Sequence, residues 1–189
     1  MAIKLRHGFK TEAEGYSIDF RKELSLHSAA PMDMFRLAQL LDIPTIRLSD
    51  LRGNILPTSY ELLAVPFDSP LSALTMYVGR RRFIVFNDKN APTRQQSDVG
   101  HELAHAVLDH PPSEVTKISG GRHYDKELED EANCLSSVLL VPKAAAIYVA
   151  KAGTALDVAA AQYNISVAMM RMRLNQSGAI KIIARSRVY

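Results

Sequence analysis

The feature that most constrains this chain is the sequence H-E-L-A-H at positions 101–105, inside an amphipathic stretch from Ser97 to Leu108. Each residue of an α-helix advances about 100° around the axis, so positions i and i+4 lie one turn apart on the same face. The stretch is therefore predicted to be a helix on which the imidazoles of His101 and His105 converge on one metal ion. Glu102 can accept a proton from a water molecule as that water attacks a carbonyl, which is typical of zinc hydrolases.

The same five residues also occur by chance, most often as a surface helix with two solvated histidines. The flanking sequence favours a packed helix, because apolar residues recur on one of its faces. These are Val99, Leu103, Ala106, Val107 and Leu108. Two histidines at the edge of a buried apolar face need hydrogen-bond partners or a metal ion. The flanking sequence therefore favours a metal site over two solvated side chains.

A third ligand is expected from a second helix, and residues 127–135 offer four acidic side chains. We choose Glu131, because it begins an apolar run and can lie at the buried edge of that helix, leaving a fourth coordination position for water. Glu129 and Asp130 are interpreted as a solvated helix N-terminus, where the macrodipole favours negative charge. Glu127 precedes Glu131 by one turn, so it is either a hydrogen-bond acceptor for a ligand histidine or the ligand itself.

Together these motifs resemble the ImmA/IrrE family of zinc metallopeptidases. The resemblance lies in H-E-L-A-H, a gap of about two dozen residues, and E-A-N followed by an apolar stretch that ends in L-L-V-P at 139–142. The N-terminal half is also similar to many bacterial members, in residues 6–14 and in 31–44. The chain departs from the common pattern in two respects: Leu135 and Ser136 follow E-A-N-C where the family often has Phe and Ala, and Val141 replaces a common Met. Neither departure touches the proposed chemistry.

The resemblance implies an α+β fold, a mostly helical minimal zincin with a small antiparallel or mixed sheet packed on the active-site helix. It implies one Zn²⁺ per chain, held by His101, His105 and Glu131, with Glu102 as the base. It further implies a protein substrate, a helix-turn-helix (Xre-type) repressor, whose cleavage relieves repression of mobile-element or stress genes.

Composition sets broader bounds. With 189 residues, the chain is long enough for a core without disulfides or a structural metal. Its net charge of +3 is a mild basic bias, short of what nucleic-acid binding usually requires. No apolar run reaches the ~18 residues of a membrane span, and residues 1–10 lack a signal-peptide core, so we expect a cytoplasmic protein.

Four further residues are candidates for minor roles. Cys134 is expected to be a buried core thiol, with zinc ligation as a remote alternative because Glu131 is near. His123 and Tyr124, in a predicted loop from His110 to Lys126, could stabilise an oxyanion, although an exposed loop side chain is the more common case. Asp98 is either a helix-start carboxylate or a partner of a ligand histidine.

The rest of the chain is predicted to be mainly helical, with a small sheet before the metal helix. Helices are expected from about residue 11 to Leu26 and from Pro31 to Leu41, followed by an extended segment at 43–48. Residues 74–78 and 82–86 are rich in β-branched and aromatic side chains around Gly79-Arg80, which predicts an antiparallel hairpin. Its edge could bind an extended peptide by strand addition.

The C-terminal part, 153–189, supports an alternative function. Its pattern resembles a helix-turn-helix, with a break near Tyr163-Asn164 and a second helix that carries Arg171 and Arg173. Such a helix could contact DNA, and the chain would then be a DNA-binding regulator with a degenerate peptidase domain. We favour a packed helix pair that belongs to the same compact domain as the peptidase part, 1–152, since two arginines on a helix usually form a solvated face.

Overall fold

The computed structural model describes residues 5–50, 72–111 and 125–186, which form eight α-helices and three β-strands. In chain order these are α1 Phe9–Glu23, α2 Met34–Leu40, β1 Thr45–Arg47, β2 Ala73–Val78, β3 Arg81–Phe86, α3 Pro92–Val107, α4 Lys126–Leu140, α5 Lys143–Ala152, α6 Leu156–Gln162, α7 Val167–Gln176 and α8 Ala179–Ser186. The predicted α+β class, mostly helical with a small sheet, is confirmed.

The sheet is mixed, with strand order β1-β3-β2. Strands β2 and β3 form the predicted antiparallel hairpin, in which Thr75 is paired with Ile84, and β1 is parallel to β3. Gly79 takes a left-handed conformation in the turn, with a φ of 61°. One face of the hairpin packs on α3 and buries Ala73, Ile84 and Phe86. Because side chains alternate along a strand, Thr75 lies on this same face.

Helix α3 lies between the sheet and α4, and it approaches α4 closely at Gly100. A Cβ atom at this position would lie 3.1 Å from Ser136 Oγ and 3.2 Å from two atoms of Met34. Glycine is unfavourable inside a helix by about 1 kcal/mol relative to alanine, so its place here is explained by packing. The close approach sets the distance between the residues that α3 and α4 direct toward each other.

The C-terminal end of α4 is buried and its carbonyl groups are hydrogen-bonded by side chains from other helices. Ser17 Oγ donates to Val138 O at 3.3 Å and Arg21 Nη2 donates to Leu139 O at 2.9 Å. Arg173 Nε, from α7, donates to Val141 O at 2.8 Å. These groups would otherwise have no partner, because the last four carbonyls of a helix have no intrahelical donor. The buried guanidinium groups of Arg21 and Arg173 also complement the negative end of the helix dipole.

The C-terminal helices pack against the rest of the described chain. Helix α7 contacts α4, α5 and α6, and α8 contacts α5 and α7. The predicted break lies between α6 and α7, where Asn164 has a φ of 49°. Ser166 Oγ then caps α7 by accepting a hydrogen bond from Met169 N. This arrangement is a packed helix pair.

Among the described residues, no single helix is long and apolar enough to cross a membrane. Helices α4 and α5 reach the required length and hydropathy only when they are taken together, and the chain bends by 49° between them.

Arg21 provides a test of how the end of α4 is held. It is 1 % exposed, and burial lowers the pKa of its guanidinium to about 10, so it remains charged at neutral pH. Arg21→Met would leave the carbonyls of Ala30 and Leu139 without their donor. We expect the free energy of unfolding in urea to fall by about 2–3 kcal/mol. Arg36→Met, at an exposed position of α2, should change it by less than about 0.5 kcal/mol. Equal stability of the two variants would contradict this account.

Candidate metal centre

Helix α3 directs two imidazoles to the same point. The Nε2 atoms of His101 and His105 are 3.1 Å apart, and the two rings stand nearly edge to face with centroids 4.7 Å apart. Their side chains are 27 % and 20 % exposed, so solvent reaches the site from one side. This is the convergence that the i, i+4 spacing predicts.

Glu129, from the first turn of α4, completes a cluster with the two histidines. Its Oε2 lies 3.3 Å from His101 Nε2 and its Oε1 lies 3.5 Å from His105 Nε2. Ligand atoms of the three residues lie within 4.8 Å of one another. Asp125 is the N-cap of helix α4, and its carboxylate accepts hydrogen bonds from Glu127 N and Leu128 N. The cap fixes the start of the helix and with it the position of Glu129.

The spacing of these atoms fits a tetrahedral zinc site. Zinc binds nitrogen and oxygen ligands at about 2.0–2.1 Å, which places neighbouring tetrahedral ligands about 3.3 Å apart. The two Nε2 atoms are 3.1 Å apart, and the two oxygens of the Glu129 carboxylate lie 3.3 Å from one and 3.5 Å from the other, so each contact is close to that value. Two imidazoles and one carboxylate are also the donor set of many catalytic zinc sites, in which water takes the fourth position. The residues present therefore fit the metal that the motif implies.

The structure corrects the expected position of Glu131. Its carboxylate faces Arg6 Nε at 2.9 Å and His110 Nε2 at 3.7 Å, away from the two α3 histidines. Glu129 and Glu131 are two positions apart on α4, which is a rotation of about 200° around the helix axis. The two carboxylates consequently point to different sides of α4, and Glu129, which we interpreted as solvated, is the one that meets the histidines.

Glu102 is buried beside the cluster and is held by the sheet. Thr75 Oγ1, on β2, donates a hydrogen bond to Glu102 Oε2 at 2.5 Å. Within the described residues this is the carboxylate's one hydrogen-bond partner. The second oxygen, Oε1, is thus available to accept a proton or a hydrogen bond from a molecule in the site. Nothing in the local sequence of β2 indicates this contact.

A third histidine, His110, lies behind His105 and was not a sequence-based candidate. The two Nδ1 atoms are 2.9 Å apart, and His110 is 7 % exposed. Burial lowers the pKa of the His110 imidazole, against the opposing effect of the Glu131 carboxylate, so the neutral ring is favoured. The ring can then accept a hydrogen bond at Nδ1 from His105.

Those of the remaining candidates that the structure describes stand apart from the cluster. Asp98 accepts hydrogen bonds from Arg94 Nε at 3.1 Å and Asn90 Nδ2 at 3.4 Å, and among the described residues it bonds to neither histidine. Glu127 is exposed in the first turn of α4 and is not among the clustered ligands. Burial raises the pKa of the half-buried Cys134 thiol, which disfavours the thiolate that binds metals. His123 and Tyr124 lie outside the described residues.

The two arginines of the alternative DNA-binding interpretation have different environments. Arg171 is exposed on α7. Arg173 is 4 % exposed; it donates to Val141 O and, through Nη2, to a Glu14 carboxylate oxygen at 3.2 Å. Its guanidinium holds α7 to the end of α4 and cannot reach a DNA groove without breaking these bonds. The DNA contact that the alternative function would assign to Arg173 is therefore contradicted by these contacts.

A signal for Glu129 was present in the sequence. Glu129 precedes Ser136 by seven positions, or about two helical turns, so both lie on nearly the same side of α4. Ser136 is the α4 residue that lies next to Gly100 of α3. Small residues at 100 and 136 mark the faces of close approach, and the acid on that face is Glu129. Glu131 is five positions from Ser136 and about 140° away from it.

Comparison with known proteins identifies the family to which the chain belongs. Residues 59–175, more than half of the chain, match the peptidase M78 family, described as the IrrE N-terminal-like domain. The matched range contains the two histidines, Glu102 and Glu129. A search of curated proteins finds none that matches the chain. On the family match, the chain belongs to the ImmA/IrrE family of metallopeptidases, which are hydrolases that act on protein substrates.

Proposed function

We propose that this chain is a zinc-dependent endopeptidase in which His101, His105 and Glu129 hold the metal and Glu102 is the general base. The observation that carries the proposal is the set of three ligand separations of 3.1–3.5 Å, next to a buried carboxylate. A zinc ion bound there would supply a Lewis acid and make hydroxide available near neutral pH.

The chain's own residues account for the proton transfers. Glu102 Oε1 takes the proton of the water as it adds to the scissile carbonyl, and the same carboxyl group gives that proton to the departing amine. Thr75 holds Oε2, so the carboxylate keeps one orientation while its second oxygen exchanges the proton. One carboxylate thereby serves as base and then as acid.

Strand β2 supports a peptide substrate that binds in an extended form. Within the described residues, β2 pairs with β3 on one side and has no strand on the other. A peptide added beside β2 would run past Thr75 and so past the Glu102 carboxylate. Strand addition uses main-chain hydrogen bonds for affinity, whereas side-chain pockets give the selectivity.

We further propose that the substrate is a helix-turn-helix, Xre-type repressor and that the enzyme acts in the cytoplasm, where such repressors bind DNA. This part rests on the resemblance to ImmA/IrrE peptidases and on the protein substrate that the family implies. Cleavage would release repression of mobile-element or stress genes.

Three matched substitutions on α4 test the third ligand. Glu129→Gln should lose most of the zinc measured by elemental analysis after reconstitution, as should His101→Ala, because each removes a ligand of a three-residue site. Glu127→Gln and Glu131→Gln should each keep about one zinc per chain under saturating metal. Zinc retained in Glu129→Gln and lost in Glu131→Gln would overturn the assignment, and a wild-type protein that binds no zinc would overturn the metal site.

The role of Glu102 is tested separately from metal binding. Glu102→Gln should keep its zinc, because the side chain is not a ligand, and should lose at least about 100-fold in hydrolysis rate, because the amide cannot take a proton. Glu23→Gln, an exposed position at the end of α1, is the matched control. Hydrolysis can be followed by intact mass on a panel of purified Xre-type repressors and on a peptide library. Turnover by Glu102→Gln at the wild-type rate would exclude it as the base, and cleavage of peptides but of no repressor would exclude the substrate class.

A further inference from the structure

We propose that His110 is a positioning residue for His105, and that Glu131 and Arg6 extend this support to the segment before α1. Of these three residues, Arg6 lies outside the range 59–175 matched by the family, so the metal centre would then depend in part on the N-terminal segment. The inference rests on the proposed metal-binding function and concerns how this chain holds one of its ligands.

The end of α3 brings His110 back onto His105. Asp109 has a left-handed conformation, with a φ of 51°, and its N–H donates to Ala106 O at 3.2 Å. His110 N donates to His105 O at 3.0 Å. This pair of hydrogen bonds is a Schellman motif, in which the residue after the left-handed position folds over the last turn. The imidazole of His110 is therefore placed by the backbone.

The hydrogen bond between the two rings selects one tautomer. A neutral histidine that ligates through Nε2 carries its proton on Nδ1. His105 Nδ1 then donates to His110 Nδ1 across 2.9 Å, and the proton of His110 is on its Nε2. That nitrogen faces Glu131 Oε2 at 3.7 Å, a separation longer than a hydrogen bond, across which the carboxylate attracts the N–H electrostatically. The His105 proton therefore has a hydrogen-bond acceptor in His110, and the His110 proton points toward a carboxylate.

Arg6 binds the Glu131 carboxylate, which is the group that faces His110. Its Nε lies 2.9 Å from Glu131 Oε1, while Nη1 and Nη2 donate to the two oxygens of Glu12 at 2.6 and 2.7 Å. The guanidinium also stacks over Phe9, 4.8 Å from the ring centre. One planar cation thus ties Glu131 of α4 to the first turn of α1.

The test is zinc affinity of the full chain, measured by competition with a chromophoric chelator. His110→Phe keeps the ring volume but removes the acceptor, and we expect zinc to bind about 10- to 100-fold more weakly. His110→Asn presents a carbonyl oxygen near the position of Nδ1 and should restore most of the affinity. His27→Phe, at an exposed histidine in the turn after α1, is the control. The visible spectrum of the cobalt-substituted protein should change in His110→Phe and resemble the wild type in His110→Asn.

A second pair of variants tests the outer contacts without disturbing the core. Arg6→Gln should weaken zinc binding by about two- to fivefold, in a salt-sensitive manner, because half of this side chain is exposed. Lys10→Gln removes the same charge from the exposed face of α1 and should leave zinc affinity unchanged. In a His110→Phe background, Arg6→Gln should no longer change the zinc affinity, because the phenylalanine removes the contact through which Glu131 and Arg6 support His105.

These results separate the inference from the function on which it rests. If the wild type binds zinc and loses it in Glu129→Gln, the metal site stands. Wild-type affinity in His110→Phe would then overturn the positioning role alone. Equal losses in His110→Phe and His110→Asn would overturn the acceptor role, because the acceptor that Asn restores would then have made no difference. An Arg6→Gln effect that persists in His110→Phe would overturn the connection through Glu131.

Discussion

Helix α3 can lie as close to α4 as it does because residue 100 has no side chain. Ser136 Oγ and the Met34 side chain occupy the space in which a Cβ would otherwise project. The histidine that follows Gly100 is thereby brought within 3.3 Å of a carboxylate on α4. A larger residue at 100 would separate the helices and lengthen this distance, so the proposed metal site depends on a packing contact one position away from His101.

The position of α4 along its own axis is also determined by charge. Its N-terminal turns carry the acids, including Glu129, where the helix dipole favours negative charge. Its buried C-terminal end is held by Arg21 and Arg173, which donate to Leu139 O and Val141 O. The two arginines come from α1 and α7, so both ends of the chain hold the helix that presents Glu129. Core arginines therefore influence the site although they are remote from its chemistry.

Local patterns predicted the elements and the two histidines, because helix period and hairpin composition are properties of short segments. The spacing in H-E-L-A-H placed His101 and His105 together, and the residues around Gly79 predicted the antiparallel pairing of β2 and β3. The choice among the acids of α4 failed for a different reason. Local composition made Glu129 look solvated, whereas its role depends on which side of α4 faces α3. Thr75 and His110 were missed because their contacts arise from a sheet packed on a helix and from a left-handed residue at a helix end.

The partners of the three carboxylates explain why their roles differ. Glu131 faces a guanidinium and Glu129 faces two imidazoles, while Glu102 is bonded to a neutral hydroxyl on β2. The Arg6 guanidinium holds the Glu131 carboxylate on a different side of α4 from Glu129. The Thr75 hydroxyl donates to Glu102 Oε2 and so orients that carboxylate. Of the three, Glu102 is the buried one that a residue of the sheet orients, and this contrast supports the proposal that it moves the proton.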